Sequence, residues 1–229
     1  MIYLDKVSVE YPNGVRALND VSISISKGDF AFIVGPTGSG KSTLLRLLYR
    51  EVLPLRGTVV VDGRDVGALK PAEVPFLRRK LGIVFQDFKL LPQKNVWENL
   101  AFALRVIGSS PKEMRRRIGE VLDLVGLTRR CDAFPHQMSG GEQQRAAIAR
   151  ALVNHPTVLI ADEPTGNLDP DTSWDIMQLL DQINTRGTTV LTATHDNQMV
   201  DRMKKRVIQV DCGYVVRDQY RGMYTHCES

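Results

Sequence analysis

The sequence predicts an α/β protein in which a parallel-sheet core, with an antiparallel β layer beside it, is interrupted by a helical insert. Short, mostly apolar runs indicate strands buried on both faces, as in a parallel sheet; these runs occupy residues 30–34, 81–85, 158–161 and 190–193. Near the N-terminus, apolar and polar residues alternate instead, which is typical of a sheet with one solvated face. We therefore predict a core with its β layer from residues 1–86 and 157–229, and a helical subdomain from residues 87–156.

The composition is that of an ordinary globular protein. The chain has 229 residues, of which 43% are hydrophobic and 24% charged. No apolar run approaches the roughly 20 residues that span a bilayer, and the N-terminus does not resemble a signal peptide. We therefore expect a cytoplasmic protein that reaches the inner face of a membrane only through a partner. Its net charge of +4 is spread along the chain, so we expect no nucleic-acid partner. Three scattered cysteines fit a reducing compartment.

The first elements are two alternating segments joined by a turn. Residues 2–11 and 21–25 alternate with period two, and Pro12-Asn13-Gly14 has turn chemistry. Tyr11 ends the first of these strands. Its ring either packs against the protein or stacks on a nucleotide base, and position alone leaves both open.

A phosphate-binding loop follows the first buried strand. Glycines let successive backbone N–H groups turn around a phosphate, and the helix predicted at residues 43–50 adds unpaired donors at its start. Lys41 would neutralise the β and γ oxygens, and the Ser42 hydroxyl would bind Mg²⁺. We place Thr43 with the ATP contacts as well. The loop has the pattern G-x-x-x-x-G-K-S and reads Gly35-Pro36-Thr37-Gly38-Ser39-Gly40-Lys41-Ser42.

The insert is predicted to be helical. Residues 96–106 carry apolar side chains at helical spacing. A second helix begins at Pro111 and ends at Gly126. Ser139 provides the polar cap of a third, which runs through an alanine-rich stretch to residue 154 before Pro156.

Polar side chains follow the buried strands at the edge where ligands of open parallel sheets bind. Gln86 follows one strand, and Asp162 and Glu163 follow the next. Asp162 is suited to bind Mg²⁺ through water, and Glu163 to polarise a water in line with a γ-phosphate. His195 follows the last buried run and is either a helix N-cap or a γ-phosphate contact.

The C-terminal part is predicted to contain one more helix and a hairpin. Asp169-Pro170 should cap a helix that runs to residue 183. Residues 206–210 and 214–216 should pair around a turn. From Arg217 onward the sequence is polar and mixed, and we expect it to be poorly ordered or dependent on a partner.

These motifs together resemble the ABC-type ATPase family. Residues 138–145, Met-Ser-Gly-Gly-Glu-Gln-Gln-Arg, are similar to its signature motif, and Met138 replaces the usual Leu at similar volume. With the phosphate loop, Gln86, Asp162-Glu163, Asn167-Leu168-Asp169 and His195, every family motif is present in the family order. The resemblance implies a RecA-like core, Mg²⁺-dependent ATP hydrolysis and a head-to-tail homodimer that holds two ATP molecules.

The resemblance also implies roles for individual residues. Asp169 would link the two sites, and Tyr11 would stack on adenine. Gln86 would sense Mg²⁺ and the attacking water, and His195 would take part in catalysis. The signature residues would contact the γ-phosphate of the ATP held by the other subunit; they are Ser139, Gly140, Gly141 and Glu142.

Within the family, four stretches resemble the ATPases of bacterial cell division. These stretches are residues 49–52, 84–92, 101–108 and 216–218. The resemblance implies an integral membrane partner similar to FtsX, through which ATP-driven closure would switch on cell-wall hydrolases. The main alternative is an ABC transporter subunit of the lipoprotein-release or macrolide-export type. A soluble ABC ATPase of DNA repair would need a coiled coil, a zinc insert or tandem ATPase domains. A small-molecule kinase would leave Ser139-Gly140-Gly141 unexplained.

Overall fold

The computed structural model describes residues 1–222, which form two β-sheets and seven α-helices. The strands are β1 Ile2–Glu10, β2 Arg16–Ile25, β3 Phe30–Val34, β4 Arg56–Val61, β5 Arg64–Asp65, β6 Leu81–Val84, β7 Val158–Asp162, β8 Thr189–Ala193, β9 Arg206–Asp211 and β10 Tyr214–Gln219. The helices are α1 Lys41–Leu48, α2 Val74–Arg78, α3 Val96–Val106, α4 Pro111–Val125, α5 Gly140–Leu152, α6 Pro170–Thr185 and α7 Asn197–Met203.

The larger sheet is the predicted parallel core. Its strand order is β10-β9-β3-β8-β7-β6, and every pair in it is parallel except the β9–β10 hairpin. All residues of β3 and β8 are buried, as is typical of central strands in a parallel sheet. Because the strands are parallel, their carboxyl ends share one edge, and the loops that carry the predicted catalytic residues leave from that edge.

The smaller sheet is the predicted antiparallel layer. Its order is β2-β1-β4-β5. Ile2, Leu4, Val7 and Val9 are buried on β1, and the polar residues between them face outward. The pairing shifts between Leu4 and Val7, where Lys6 has a left-handed φ of 48°.

Two hydrophobic cores lie on opposite faces of the parallel sheet. One packs α1 and the antiparallel layer against residues such as Ile33 and Leu191. The other packs α3, α4, α5 and α6 against residues such as Phe32 and Leu159. The helices between β6 and β7 therefore share their core with the sheet. The division of the chain at residues 87 and 156 stays a prediction.

The prediction of a poorly ordered tail from Arg217 was wrong for residues up to Gln219, which belong to β10. The buried Arg206 donates to both carboxylate oxygens of Asp218, at 2.8 and 2.7 Å, and also bonds Asp29 at 3.2 Å. This ion-pair network stabilises residues 217–219 of the strand, whose composition gives no apolar signal. Residues 220–222 of the predicted tail follow β10 outside any strand, and residues 223–229 lie outside the described residues.

Three further elements were not predicted from the sequence, namely β5, α2 and α7, and α1 begins two residues before the predicted start at Thr43. Within residues 1–222, no helix is both long and apolar enough to cross a membrane.

Candidate active site

The phosphate loop connects β3 to α1. It packs closely against the antiparallel layer on one side and the end of β9 on the other. A Cβ on Gly35 would collide with the carbonyl oxygen of Val210, and one on Gly40 with that of Ala17. Both glycines have positive φ, 144° and 112°. The N–H of Gly213, in the β9–β10 turn, donates to the Ser39 carbonyl at 3.0 Å. Glycine is therefore required at both ends of the loop by space and by backbone conformation.

The start of α1 fits a phosphate group. Its N-cap, Gly40, provides no side-chain acceptor, and the first bond within the helix is from the Leu44 N–H to the Gly40 carbonyl at 2.9 Å. The backbone N–H groups of the first turn are therefore available to an anion. The buried Ser39 hydroxyl likewise has no hydrogen-bond partner among the described residues.

Lys41 lies across the mouth of this loop. Its ammonium donates to the carbonyls of Gly35 at 2.8 Å and Pro36 at 2.9 Å. Burial lowers the pKa of Lys41, while the nearby carboxylates of Glu163 and Asp162 oppose that shift. The positive charge of Lys41 is therefore close both to the loop and to the two acidic residues.

Ser42 and Asp162 form an oxygen pair suited to Mg²⁺. The Ser42 hydroxyl donates to Asp162 Oδ1 at 3.2 Å, which joins α1 to the end of β7. Hydroxyl, carboxylate, phosphate and water oxygens are the ligands that Mg²⁺ prefers. No group of three His, Cys, Asp or Glu side chains suited to a metal occurs in residues 1–222. The residues present therefore fit a magnesium ion that takes its other ligands from phosphate and water.

Glu163 and His195 form the second polar pair of this edge. Glu163 Oε2 lies 2.9 Å from His195 Nδ1. The Glu163 side chain is 18% exposed and that of His195 is 67% exposed. Glu163 has a φ of 50°, rare for a residue with a Cβ, and its N–H donates to the Ala193 carbonyl at 3.0 Å. The Glu163 carboxylate therefore faces His195, whereas that of Asp162 faces Ser42.

His195 is not a helix N-cap, so that alternative was wrong. The cap of α7 is Asp196, whose Oδ1 accepts the Met199 N–H at 3.0 Å. The Asp196 carboxylate accepts the hydrogen bond from the start of α7, and His195 contacts Glu163 instead. A contact between His195 and a γ-phosphate stays a prediction.

Gln86 lies beyond the end of β6 and contacts Asn167. Its Nε2 is 3.5 Å from Asn167 Oδ1, and Asn167 Nδ2 donates to the Gln86 carbonyl at 3.3 Å. Sequence reasoning placed Asn167 within a family motif but missed this contact, since the two residues are 81 positions apart.

Tyr11 lies beside the phosphate-loop helix. Its hydroxyl is 3.0 Å from Thr43 Oγ1, so the antiparallel layer is joined to α1 at this point. The residue is only partly buried, and stacking of its ring on a base stays a prediction.

The signature residues form the start of α5. The Ser139 side chain accepts the Glu142 N–H at 3.2 Å, and the Glu142 carboxylate accepts the Ser139 N–H at 3.0 Å, which is a capping box. That backbone bond, aided by Arg130 at 3.0 Å, holds the pKa of Glu142 below its usual value. The helix start is therefore well fixed and carries a compensated charge.

The starts of α5 and α6 pack against each other. A Cβ on Gly140 would lie 3.2 Å from Leu168 Cδ2, and one on Gly141 would collide with the Thr172 methyl group. Asp169 is the N-cap of α6, as predicted, and accepts the Thr172 N–H at 3.0 Å. Within residues 1–222, neither helix start is hydrogen-bonded to the phosphate loop.

Sequence reasoning missed Gln144. This fully buried residue of α5 donates from Nε2 to the Pro164 carbonyl at 2.6 Å, one residue beyond Glu163. The sequence did contain a signal for this contact. Gln144 is a polar residue among the buried alanines of α5, and a buried amide is expected to have a hydrogen-bond partner.

Comparisons with known proteins show which family this chain resembles. A family model described as "ABC transporter" matches residues 18–166. The chain is 55% identical over 224 residues to the cell division ATP-binding protein FtsE of Bacillus subtilis, covering 98% of both proteins. It is 53% identical to the protein of that name from Mycobacterium tuberculosis, with 98% of both covered. It is 45% identical to that from Escherichia coli, with 94% of this chain and 97% of the relative covered.

Solved structures give the same likeness. A dimeric ATP-binding cassette in a post-hydrolysis state, bound to ADP and Pi, superimposes with a TM-score of 0.87 at 37% identity, covering 98% of this chain and 100% of that one. The CbiO1 subunit of a Clostridium perfringens ABC transporter complex gives 0.90 at 30% identity, covering 96% and 88%. Both likenesses confirm the predicted fold class.

Proposed function

The chain belongs to the ABC transporter family of ATPases, and on that premise we propose that it is the ATP-hydrolysing subunit of an FtsE–FtsX-type membrane complex that acts in cell division. The observation that carries the proposal is identity of 45–55% over nearly the whole chain to proteins named for that role. The chain is an ATPase of its family, and the site described above accounts for how hydrolysis proceeds.

ATP binding is assigned to the loop and the start of α1. Backbone N–H groups of the loop and of the start of α1, other than at Pro36, hold the phosphates, and Lys41 neutralises the β and γ oxygens. Ser42 and, through water, Asp162 would hold Mg²⁺, and the bound ion would neutralise charge that develops on the phosphates. Tyr11 stacks on the adenine.

Hydrolysis is assigned to Glu163 with His195 and Gln86. A water oxygen attacks the γ-phosphorus while the bond to the β–γ bridging oxygen breaks, and the water proton passes to the Glu163 carboxylate. His195, 2.9 Å from that carboxylate, orients it. Gln86, at the end of β6, orients the water. Phosphoryl transfer needs positioning more than covalent chemistry, so few residues suffice.

The complete site requires two subunits. The starts of α5 and α6 lie away from the loop within one chain, so the signature residues are proposed to close on the ATP of the partner subunit. They are Ser139, Gly140, Gly141 and Glu142, with Asp169 at the interface. A structural neighbour solved as a dimer supports this arrangement. Each ATP then joins two subunits, and its hydrolysis releases them.

The membrane partner is assigned to a groove beside Gln86. This groove has a volume of about 480 Å³ and lies between α2, β6, α3 and α5. Phe102 and Val106, 48% and 57% exposed, form part of its apolar lining. Arg78 and Arg79 lie at the same groove. An amphipathic segment of a membrane protein similar to FtsX fits this chemistry. The ATPase then lies at the cytoplasmic face of the membrane, and its closure drives the partner to activate peptidoglycan hydrolases outside.

A transporter subunit is the second candidate function. The description of the matching family model favours it, as does the neighbour named as part of an ABC transporter complex. The ATPase site would be the same in both cases, so the partner decides between them.

The test is to identify that partner. Glu163→Gln should retain ATP and prolong the closed complex; it would be expressed in the native host, crosslinked in cells and purified from solubilised membranes. A co-purified protein with few membrane spans and a large extracytoplasmic loop, enriched at division sites, would support the cell-division role. A partner built around a substrate pathway would instead identify a transporter.

A further inference from the structure

The segment that follows Gln86 is held in an unfavourable backbone conformation. Phe88 and Lys89 have φ values of 56° and 50°. Consecutive left-handed residues are rare without glycine, and they persist only where the surrounding structure holds them. The carbonyl groups of both residues are directed to α5, where one side chain binds them.

That side chain is Arg150. Its Nη1 donates to the Lys89 carbonyl at 2.5 Å and its Nη2 to the Phe88 carbonyl at 3.1 Å. A guanidinium presents fixed, diverging donors and stays charged at all relevant pH values, so it suits two neighbouring carbonyls that a single ammonium cannot bridge equally well. Arg150 also lines the groove assigned to the membrane partner.

The same helix also contacts the segment after Glu163. Gln144, on α5, donates to the Pro164 carbonyl at 2.6 Å. Helix α5 begins immediately after Ser139. One rigid element therefore connects the signature residue to the segments after Gln86 and after Glu163.

We propose that Arg150 is a positioning residue for ATP hydrolysis, which holds the strained Phe88–Lys89 segment on α5 and thereby sets the position of Gln86 at the sheet edge. The proposal rests on the function assigned to Gln86 above. Arg150 itself touches no reacting atom. Its removal should lower turnover and leave ATP binding intact.

Arg117 offers a matched control. This arginine of α4 also donates to two consecutive backbone carbonyls, those of Leu152 at 2.8 Å and Val153 at 3.1 Å. Those carbonyls lie at the end of α5, and neither residue follows a predicted catalytic residue. Replacing Arg117 by Lys removes a comparable pair of hydrogen bonds without disturbing the segment after Gln86.

The experiment compares four full-length variants with the wild type: Arg150→Lys, Arg117→Lys, Gln86→Ala and the double variant Arg150→Lys/Gln86→Ala. Steady-state ATP hydrolysis gives kcat and KM, and hydrogen exchange is followed for the amides of residues 87–91. We expect Arg150→Lys to lower kcat about 10-fold or more, since small misplacements at catalytic sites have effects of this size. KM should stay within about twofold, and exchange at residues 87–91 should accelerate.

Arg117→Lys should lower thermal stability but keep the wild-type kcat at temperatures where it is folded. The double variant should match Gln86→Ala alone, because Arg150 acts through Gln86. An unchanged kcat in Arg150→Lys, an equal loss in Arg117→Lys, or losses that multiply in the double variant would each overturn the inference.

Failure of the proposed function would give different results from failure of the inference about Arg150. If the wild type turns over no ATP, or Gln86→Ala keeps the wild-type kcat, the assigned site is wrong. Exchange at residues 87–91 then still decides whether Arg150 holds the segment, because that measurement needs no turnover. If Gln86→Ala loses activity and Arg150→Lys does not, only the inference about Arg150 fails.

Discussion

Glu163 lies directly after strand β7, at the edge of the parallel sheet where the other candidate site residues lie. Its left-handed backbone, with a φ of 50°, was not predictable, because it depends on the bond from its N–H to Ala193 of the neighbouring strand. Such a conformation costs on the order of 1–2 kcal/mol in other contexts. Here it turns the carboxylate from Asp162 toward His195.

Replacing Glu163 by Gln tests its chemical role with little change of shape. We expect kcat to fall by about 100-fold or more, because a positioned base contributes a factor of this order, while ATP binding is retained. Turnover and equilibrium binding of a fluorescent ATP analogue measure the two effects. Glu113→Gln, an exposed change on α4, is the control. Wild-type turnover in Glu163→Gln would remove Glu163 from the mechanism.

Glu142 gives a pH-dependent prediction, since its folded pKa is lowered by the Ser139 N–H and by Arg130. Its stabilisation is therefore complete above the unfolded pKa and is lost as the pH falls through the folded pKa. Glu142→Gln keeps a capping side chain but removes the charge, and should cost about 0.5–1 kcal/mol at pH 7. Urea unfolding should show the two proteins converging below about pH 4. A difference that is independent of pH would contradict this assignment.

At the scale of elements, the close contact between α5 and α6 depends on the absence of a side chain at Gly141. Gly141→Ala would press a methyl group against that of Thr172, and we expect a loss of about 1–3 kcal/mol in the free energy of unfolding. Denaturant unfolding measures the loss. Thr172→Ser removes the opposing methyl group, so the double variant should recover most of the stability.

Gly119→Ala is the matched control for this contact. Gly119 lies within α4, and a Cβ there would meet nothing within 4 Å. Alanine should stabilise that helix by up to about 1 kcal/mol, as is usual in helix interiors. Destabilisation at both glycines would mean that the loss at Gly141 does not arise from Thr172.

The elements predicted well from sequence are those with a strong local pattern. Strand β3 is an uninterrupted apolar run, β7 and β8 are mostly apolar, and α4 has Ser110 as its cap and Gly126 at its end. The last residues of β10 were missed because a distant arginine, Arg206, stabilises them through Asp218. Local patterns cannot report such a contact. For the same reason the Arg150 and Gln144 bonds were not predicted.

At the scale of the whole molecule, dimerisation can be tested through Ser139. In the Glu163→Gln background, ATP should produce a dimer on size-exclusion chromatography. Adding Ser139→Arg should abolish that dimer and spare ATP binding, because a large cation would occupy the space for the partner's γ-phosphate. Arg129→Ser, a change of charge at an exposed site on the same subdomain, is the control. A persistent ATP-dependent dimer in the Ser139→Arg protein would contradict the shared site.

The order of strands in the large sheet was beyond sequence reasoning. The strand pattern predicted which segments are buried and which ends carry polar residues, but pairing depends on contacts far apart in the chain. Strand β3 lies between β8 and β9, and the phosphate loop is held from behind by the β9–β10 turn. Each candidate site residue could be proposed from its own motif, whereas the contacts between these residues and distant parts of the chain could not.

This strand order constrains when the protein can become active during its synthesis. Ribosomes release a chain from its N-terminus, so the phosphate loop emerges long before the strands that flank β3. Until β8, β9 and the following turn have left the exit tunnel, the loop has no sheet to support it. We therefore expect a nascent chain to bind nucleotide only when its synthesis is nearly finished. We expect that a chain terminated before β9 would contain every nucleotide-binding motif but would not bind nucleotide.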